Sequence, residues 1–216
     1  MKLFYLLFCA SIVFCSCSRK WKQPTHCAFT LNYSDDNNST INEITSSIYY
    51  TEFVQFVGSR EQAGDVNLTQ TVDKQIVGSH FEAVEFDLPQ GTYTSLDAHI
   101  GLSRNSGSAH TLKFNGKHHF LDGSFSNFQF ELDSDILISG PSFDSDGTNT
   151  IILSKKIDRS ATIDFDLNAL IDGIPETYWT SANAGSGMIV VDSDSNASLY
   201  LYIITNISDY LEVRFL

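Results

Sequence analysis

The chain reads as a mainly β protein, expected to fold as an antiparallel β-sandwich with one short helix between its last two strands. Three observations predict this. Apolar and polar residues alternate with period two in segment after segment. These segments recur at short spacing and are separated by Gly, Asn, Ser and Pro turn residues. Little of the text carries a helical period, and the alternation leaves one wet face per sheet.

The elements follow in order. Ala28 to Tyr33 alternates strictly and predicts a half-buried strand. Ser34 to Thr40 is a polar loop. Asn42 to Val57 carries Ile44, Ile48, Tyr50, Phe53, Val54 and Phe56, a β-branched and aromatic run that predicts a strand. Gly58 to Gly64 reads as a turn, and Val66 to Thr69 opens another strand. In Phe81 to Leu88, residues Val84, Phe86 and Leu88 share one face, and Phe81, Ala83, Glu85 and Asp87 the other. Pro89-Gln90-Gly91 turns the chain into a strand with Thr94, Leu96, Ala98, Ile100 and Leu102 on the apolar face. Tyr93, Ser95, Asp97 and His99 are expected on its opposite face. Asn105 to Gly107 turns the chain again. Asn115-Gly116, between Leu112–Phe114 and His118–Leu121, is the strongest short hairpin signal in the text. Phe128, Phe130 and Leu132 alternate with polar neighbours. Ile151 to Ile157 and Ala161 to Leu167 read as further strands, the latter with Ile163, Phe165 and Leu167 on one face and Thr162, Asp164 and Asp166 on the other, and Asn168 to Ile171 as a short helical turn. Met188 to Val191 and Tyr210 to Phe215 read as the last two strands. Between them Leu199, Ile203 and Ile207 recur at helical spacing over Ser195 to Ile207, with Asp192, Ser193 and Asp194 offering N-cap oxygens.

The N-terminus has a different character. Met1 to Ser18 places Lys2 before an apolar run, Leu3 to Phe14, that closes on Cys15-Ser16-Cys17. The run is about twelve residues, short of the roughly twenty that span a bilayer, so it reads as a secretory signal. It resembles the leader of a bacterial lipoprotein precursor. Cys17 is the expected lipid attachment site because small Ser16 precedes it, whereas bulky Phe14 precedes Cys15. Phe14, where that pattern usually has Leu, is a departure from it. The division is then a signal over 1–16, a tether over 17–25 and a single β-sandwich domain over 26–216. Two acyl chains anchor stably, since each buried methylene contributes about 0.8 kcal/mol.

The chain has 13 Lys and Arg against 26 Asp and Glu, a formal net charge of −13. That balance argues against nucleic acid and anionic membrane surfaces as partners of the domain. Its basic residues gather at Arg19, Lys20 and Lys22, beside the expected anchor, where they either face headgroups or form a solvated tether. Once Cys17 is acylated, Cys27 has no intramolecular partner, so neither a disulfide framework nor a cysteine metal site is expected.

Leu88-Pro89-x-Gly91-x-Tyr93, leading into a long strand, resembles the strand–turn–strand unit of prealbumin-like sandwiches, including transthyretin-like and carboxypeptidase-regulatory-like modules. Met188 to Phe215, with its Asp- and Asn-rich text, Leu-Tyr, short helix and final strand, resembles an uncharacterised lipoprotein family of Bacteroidota-type bacteria. The resemblance implies a prealbumin-like sandwich that binds or presents. It carries over no catalytic residue, and the functional implication is one of analogy.

Asp192-Ser193-Asp194-Ser195-Asn196 resembles the opening of a calcium loop, with Asp192, Asp194 and Asn196 as weak ligand candidates. Ala197 occupies the place of the sharp-turn glycine and Ile203 that of the bidentate glutamate, so a helix cap is the preferred reading. Asp133-Ser134-Asp135 and Asp144-Ser145-Asp146-Gly147 are similar fragments that turns explain as well. His99, His110, His118 and His119 are the residues a zinc or copper site would draw on. Adjacent His118 and His119 face opposite ways on a strand. Tyr93, Tyr178 and Trp179 are candidates for a carbohydrate-stacking platform, the last two kept open because they lie near loop text. Neither G-x-S-x-G nor a Gly-rich phosphate loop is present. The expectation is a non-catalytic envelope lipoprotein, held to the membrane by its N-terminus and binding a protein, glycan or small ligand. A metal-binding lipoprotein, with calcium ahead of copper or zinc, and an envelope hydrolase are the alternatives. Ser18, Arg19 and Lys20 after Cys17 favour the outer membrane facing the periplasm, with surface exposure left open.

Overall fold

The computed structural model describes residues 24–34, 42–77, 82–104, 109–155, 157–185 and 187–216. The leader, Cys17, the Ser34–Thr40 loop beyond Ser34 and the Asn105–Gly107 turn lie outside the described residues. The elements are β1 (Thr25–Ser34), β2 (Asn42–Arg60), β3 (Gly64–Val77), β4 (Glu82–Leu88), β5 (Gly91–Leu102), β6 (Leu112–His119), β7 (Phe125–Leu132), β8 (Ile136–Phe143), β9 (Ile151–Leu153) and β10 (Arg159–Asp166). There follow α1 (Leu167–Asp172), α2 (Glu176–Ser181), β11 (Ala184–Gly185), β12 (Met188–Val191), α3 (Ala197–Asn206), a single 3₁₀ turn (Ile207–Tyr210) and β13 (Leu211–Phe215). No helix among the described residues is long and apolar enough to cross a membrane.

The mainly β expectation and the helix before the last strand hold, but the pairing is mixed rather than wholly antiparallel. The strands form one curled sheet in the order β11-β12-β7-β6-β2-β5-β8-β13-β10-β1-β4, with β3 on the other edge of β2 and β9 beside β5. Three pairs are parallel: β1 with β10, β7 with β12, and β8 with β13. Parallel neighbours need long crossovers. The chain between β10 and β13, with its three helices, carries the crossovers that bring β12 to β7 and β13 to β8.

β2 is the spine. Its first half pairs with β6 and its second half with β5, so β5 and β6 follow one another along the same edge. Backbone bonds from Tyr50 N–H to the Thr111 carbonyl and from Ser103 N–H to the Tyr50 carbonyl close the seam between them. The curl brings β1, β4 and β13 over β2, where Phe29 meets Phe56, Phe86 and Phe215 at ring-centroid separations of 4.4, 5.8 and 5.6 Å. Such tilted and edge-on pairs satisfy the ring quadrupoles. The alternation in β4, β7 and β10 falls as the pattern requires, with Val84, Phe86, Leu88, Phe128, Phe130, Leu132, Ile163 and Phe165 all buried. Leu199, Ile203 and Ile207 are buried too, the last in the 3₁₀ turn.

Four local expectations are corrected. Asn115-Gly116 is not a turn but the middle of β6; the chain reverses instead at Leu121–Ser124, where Gly123 has φ 83°. Gly116 is there because a Cβ would stand 2.5 Å from Phe128 Cζ. Tyr93 faces inward, fully buried, because the register slips between Ser59 and Arg60 and leaves Thr94 as the extra residue of a bulge. The strand expected over Ile151–Ile157 stops at Leu153. The segment holding Trp179 forms α2, and Trp179 is buried rather than displayed.

Where β13 crosses onto β8, a Cβ at Gly140 would fall on the Leu211 backbone, 2.5 Å from its carbonyl carbon. Gly140→Ala is expected to cost about 1–3 kcal/mol by overpacking, read from urea unfolding followed by circular dichroism. Gly185→Ala, where a Cβ meets nothing within 4 Å, stays within about 0.5 kcal/mol of the parent.

Candidate functional site

The four histidines singled out by sequence end in different places. His118 and His119 do face opposite ways on β6. His119 is half-buried, with Nε2 3.4 Å from Glu43 Oε1. His99 Nδ1 lies 2.6 Å from Ser139 Oγ, and His110 lies between Asp133 (2.6 Å) and Glu131 (3.4 Å). Among the described residues no group of three or more His, Cys, Asp or Glu side chains is arranged to hold a metal ion.

His118 is the buried one. Its ring stacks on Trp179 at 4.4 Å between centroids and 10° between planes, and Phe120 meets it edge-on at 4.6 Å. Asn42 Nδ2 donates to the Asp172 carboxylate (2.7 Å) and to the Ile171 carbonyl (3.3 Å). The Asn42 side-chain oxygen therefore faces His118 Nδ1 at 2.8 Å, so Nδ1 carries the proton. The lone pair on Nε2 then turns toward Glu176 Oε2, 3.2 Å away and out of hydrogen-bond alignment. The relay of Asp172, Asn42 and His118 links α1 to β2 and β6, and the stack of Trp179 on His118 brings α2 against them. Burial pushes the His118 pKa below its ordinary value of 6.5, against the pull of the Glu176 carboxylate.

The calcium-like text is occupied by its own backbone. Asp192 Oδ1 accepts from the N–H groups of Asp194 (2.8 Å) and Ser195 (2.5 Å). Asn196 has φ 55°; its side-chain oxygen accepts from Asn183 N–H (2.7 Å) and its amide donates to the Val190 carbonyl (2.7 Å). Asp192, Ser193 and Asp194 do not cap α3, contrary to expectation. Asn196 is the N-cap residue, and its side chain is turned back onto β12. Asp194 lines a groove of about 360 Å³ with Asn183, Met188 and Ser195. Asp133–Asp135 and Asp144–Gly147 lie at opposite ends of β8, so these loops do not meet. Asp144 pairs with Arg159 (2.5 Å), and Asp146 accepts from Thr148 N–H (2.9 Å). Cys27 is free and buried, and burial pushes its thiol up to about 12, which leaves it unreactive.

Sequence reasoning missed the acidic row on the outer face of β10. Asn32, Asp164 and Glu212 sit side by side across β1, β10 and β13. With Asp166, Asp209 and Tyr210 they line a groove of about 390 Å³. Asn32 Nδ2 donates to Asp164 Oδ1 (2.7 Å), Arg214 Nε pairs with Glu212 (2.6 Å), and Asp166 caps α1 through Ala169 N–H (2.9 Å). Opposed like charges disfavour ionisation. Burial first, then Glu212 and Asp166, raise the Asp164 carboxyl above its ordinary value, with Asn32 opposing. The alternation of Thr162, Asp164 and Asp166 was legible, but their meeting with Asn32, 132 residues from Asp164, was not. Chemically, the row offers acceptor oxygens to a cationic or hydroxyl-rich group.

Two expectations follow for titration. The unfolded chain protonates its histidine near 6.5 and the folded chain only at lower pH. His118 therefore contributes stability above 6.5 that is lost as pH falls. His118→Gln should flatten the dependence of melting temperature on pH between about pH 5 and 8 relative to the parent. The raised Asp164 works in the opposite sense: stability present below 3.8 is lost as pH rises through the folded value. Asp164→Asn should therefore raise the melting temperature at neutral pH, measured by calorimetry. Compared with known proteins, the chain matches no family model, no curated protein and no solved structure.

Proposed function

We propose that this chain is a lipid-anchored protein of a bacterial cell envelope, held at the outer membrane and facing the periplasm. Its β domain binds a protein, glycan or small ligand without catalysing a reaction. The observation that carries the reading is the leader: Lys2, the apolar run Leu3 to Phe14, and Ser16 immediately before Cys17. The side-chain inventory supports it. His99, His110, His118, Asp144, Asp192 and Asn196 are engaged in bonds that hold strands, turns and helices together. The acidic row of Asp164, Asp166 and Glu212 is the surface best suited to a cationic or hydroxyl-bearing ligand. Within the mixed sheet, the Leu88–Tyr93 element is proposed as a prealbumin-type strand–turn–strand unit. Its support is the Tyr93 hydroxyl, which donates to the Pro89 carbonyl at 2.7 Å and pins the turn.

The anchor is tested by metabolic labelling with palmitate in a Gram-negative host. The parent should incorporate label and sediment with membranes. Cys17→Ser should incorporate none and appear in the periplasmic fraction. Labelling that survives Cys17→Ser but is lost in Cys15→Ser would move the attachment site and overturn the assignment to Cys17.

A further inference from the structure

We propose that the domain seats on the membrane surface through an apolar patch formed by Ile152, Ile157 and Leu216, at the end where the tether enters. The inference rests on the lipid-anchor reading and goes beyond it by assigning the face that meets the lipid.

Register places these residues together with the chain entry. Thr25, the first residue of β1, is opposite Leu88, and Cys27 is opposite Arg159. Ile152 is opposite Thr92 on β5, just past the Pro89–Gly91 turn that follows Leu88. Ile157 N–H donates to the Ser154 carbonyl in the turn between β9 and β10. Leu216 N–H donates to the carbonyl of Ser160, the neighbour of Arg159. Ile152, Ile157 and Leu216 are 60%, 63% and 69% exposed. Scattered single apolar residues need no explanation. Three large aliphatic side chains at the anchored end do, because Ile152 and Ile157 stand where solvent-facing strand and turn positions usually carry polar groups.

The tether settles the occupant. From Cys17 to Pro24 the chain reaches at most roughly 29 Å, at about 3.6 Å per residue. The lipid surface is thus presented to this end at an effective concentration on the order of millimolar, so a contact weak on its own becomes populated. The far end is out of reach by comparison. β2 runs about 60 Å, at roughly 3.3 Å per residue, from Arg60 near the entry to Asn42 beside the β6–β7 tip. Arg159 is paired to Asp144 and Asp158 lies alongside, while Lys155 and Lys156 precede Ile157 in the sequence. The exposed aliphatic side chains make the seat by apolar contact, with Lys155 and Lys156 beside Ile157 in the sequence to meet the headgroups.

The full lipidated protein, reconstituted in vesicles of phosphatidylethanolamine and phosphatidylglycerol, provides the test. Ile152→Cys, Ile157→Cys and Leu121→Cys are labelled separately with an environment-sensitive dye, while fully buried Cys27 stays unlabelled. Dye at 152 and 157 should shift to the blue and be quenched by nitroxide lipids, and dye at 121 should not. Placing Ile152→Asp beside the dye at 157 should lower that quenching several-fold; unchanged quenching would assign the insertion to the dye and overturn the seat. Flotation with vesicles but no quenching at 152 or 157, or quenching at 121 instead, overturns the seat and leaves the anchor standing. Crosslinking of copies through 157 without lipid quenching makes the patch a contact between copies and also overturns it. Failure to float with vesicles overturns the anchor reading, and the seat with it.

Discussion

The fold depends on the passage of β13 across Gly140. β13 pairs along its length with β10, from Leu211 opposite Phe165 to Phe215 opposite Ala161. Its ladder pairs with β8 are Val213 and Arg214, opposite Ser142 and Phe143. That short parallel splice makes one sheet of two halves, and it requires the Leu211 backbone to lie where a side chain at 140 would be. Because the halves are joined there, the sheet curls, and the β1–β4–β10–β13 half closes over β2. The core then follows from the curl: Phe29, Phe56, Phe86 and Phe215 come from four strands and meet at one place.

The other end of β2 is held by polar chemistry. Asn42, the first residue of β2, is buried and joins α1 to His118, and His118 joins β6 to α2 through the stacked Trp179 ring. A buried polar group is costly without partners, and a chain of them fixes the arrangement of short helices that could not stand alone. α1 and α2 have six residues each. Their position comes from docking: Leu167, Leu170, Ile171 and Trp179 go into the core while the relay sets their register. The same relay makes this end of the molecule sensitive to acid, since protonation of Nε2 must occur in a site that burial disfavours.

On the surface, charge and apolar groups divide the labour. The acidic row on β10 and β13 faces solvent as a wall of acceptors. The end at which the chain enters carries aliphatic side chains. The acidic row and the end where β1 begins lie at opposite ends of β10, so the anchorage and the ligand binding proposed above would use separate parts of the sheet.

Much of the fold is legible in the sequence. Strand faces such as Val84-Phe86-Leu88 and Phe128-Phe130-Leu132 and the helix carrying Leu199 and Ile203 are local patterns, and period and turn chemistry are local physics. Half of the candidate site was also legible, as the alternating Asp164 and Asp166. What failed locally failed for tertiary reasons. Asn115-Gly116 has the chemistry of a turn, yet Gly116 serves the close approach of Phe128 and β2. Tyr93 reads as outward by strict alternation, yet a bulge set by pairing with β2 turns it inward. α2 has too few residues to announce itself and exists because Trp179 docks. The parallel pairs and the Asn32–Asp164–Glu212 row depend on which strands become neighbours. The sequence by itself determined the β character and the inward faces, because each is encoded within a few residues. Only the tertiary structure decided the mixed pairing, the buried His118 relay and the acidic row, because each joins side chains from strands and helices far apart in the chain.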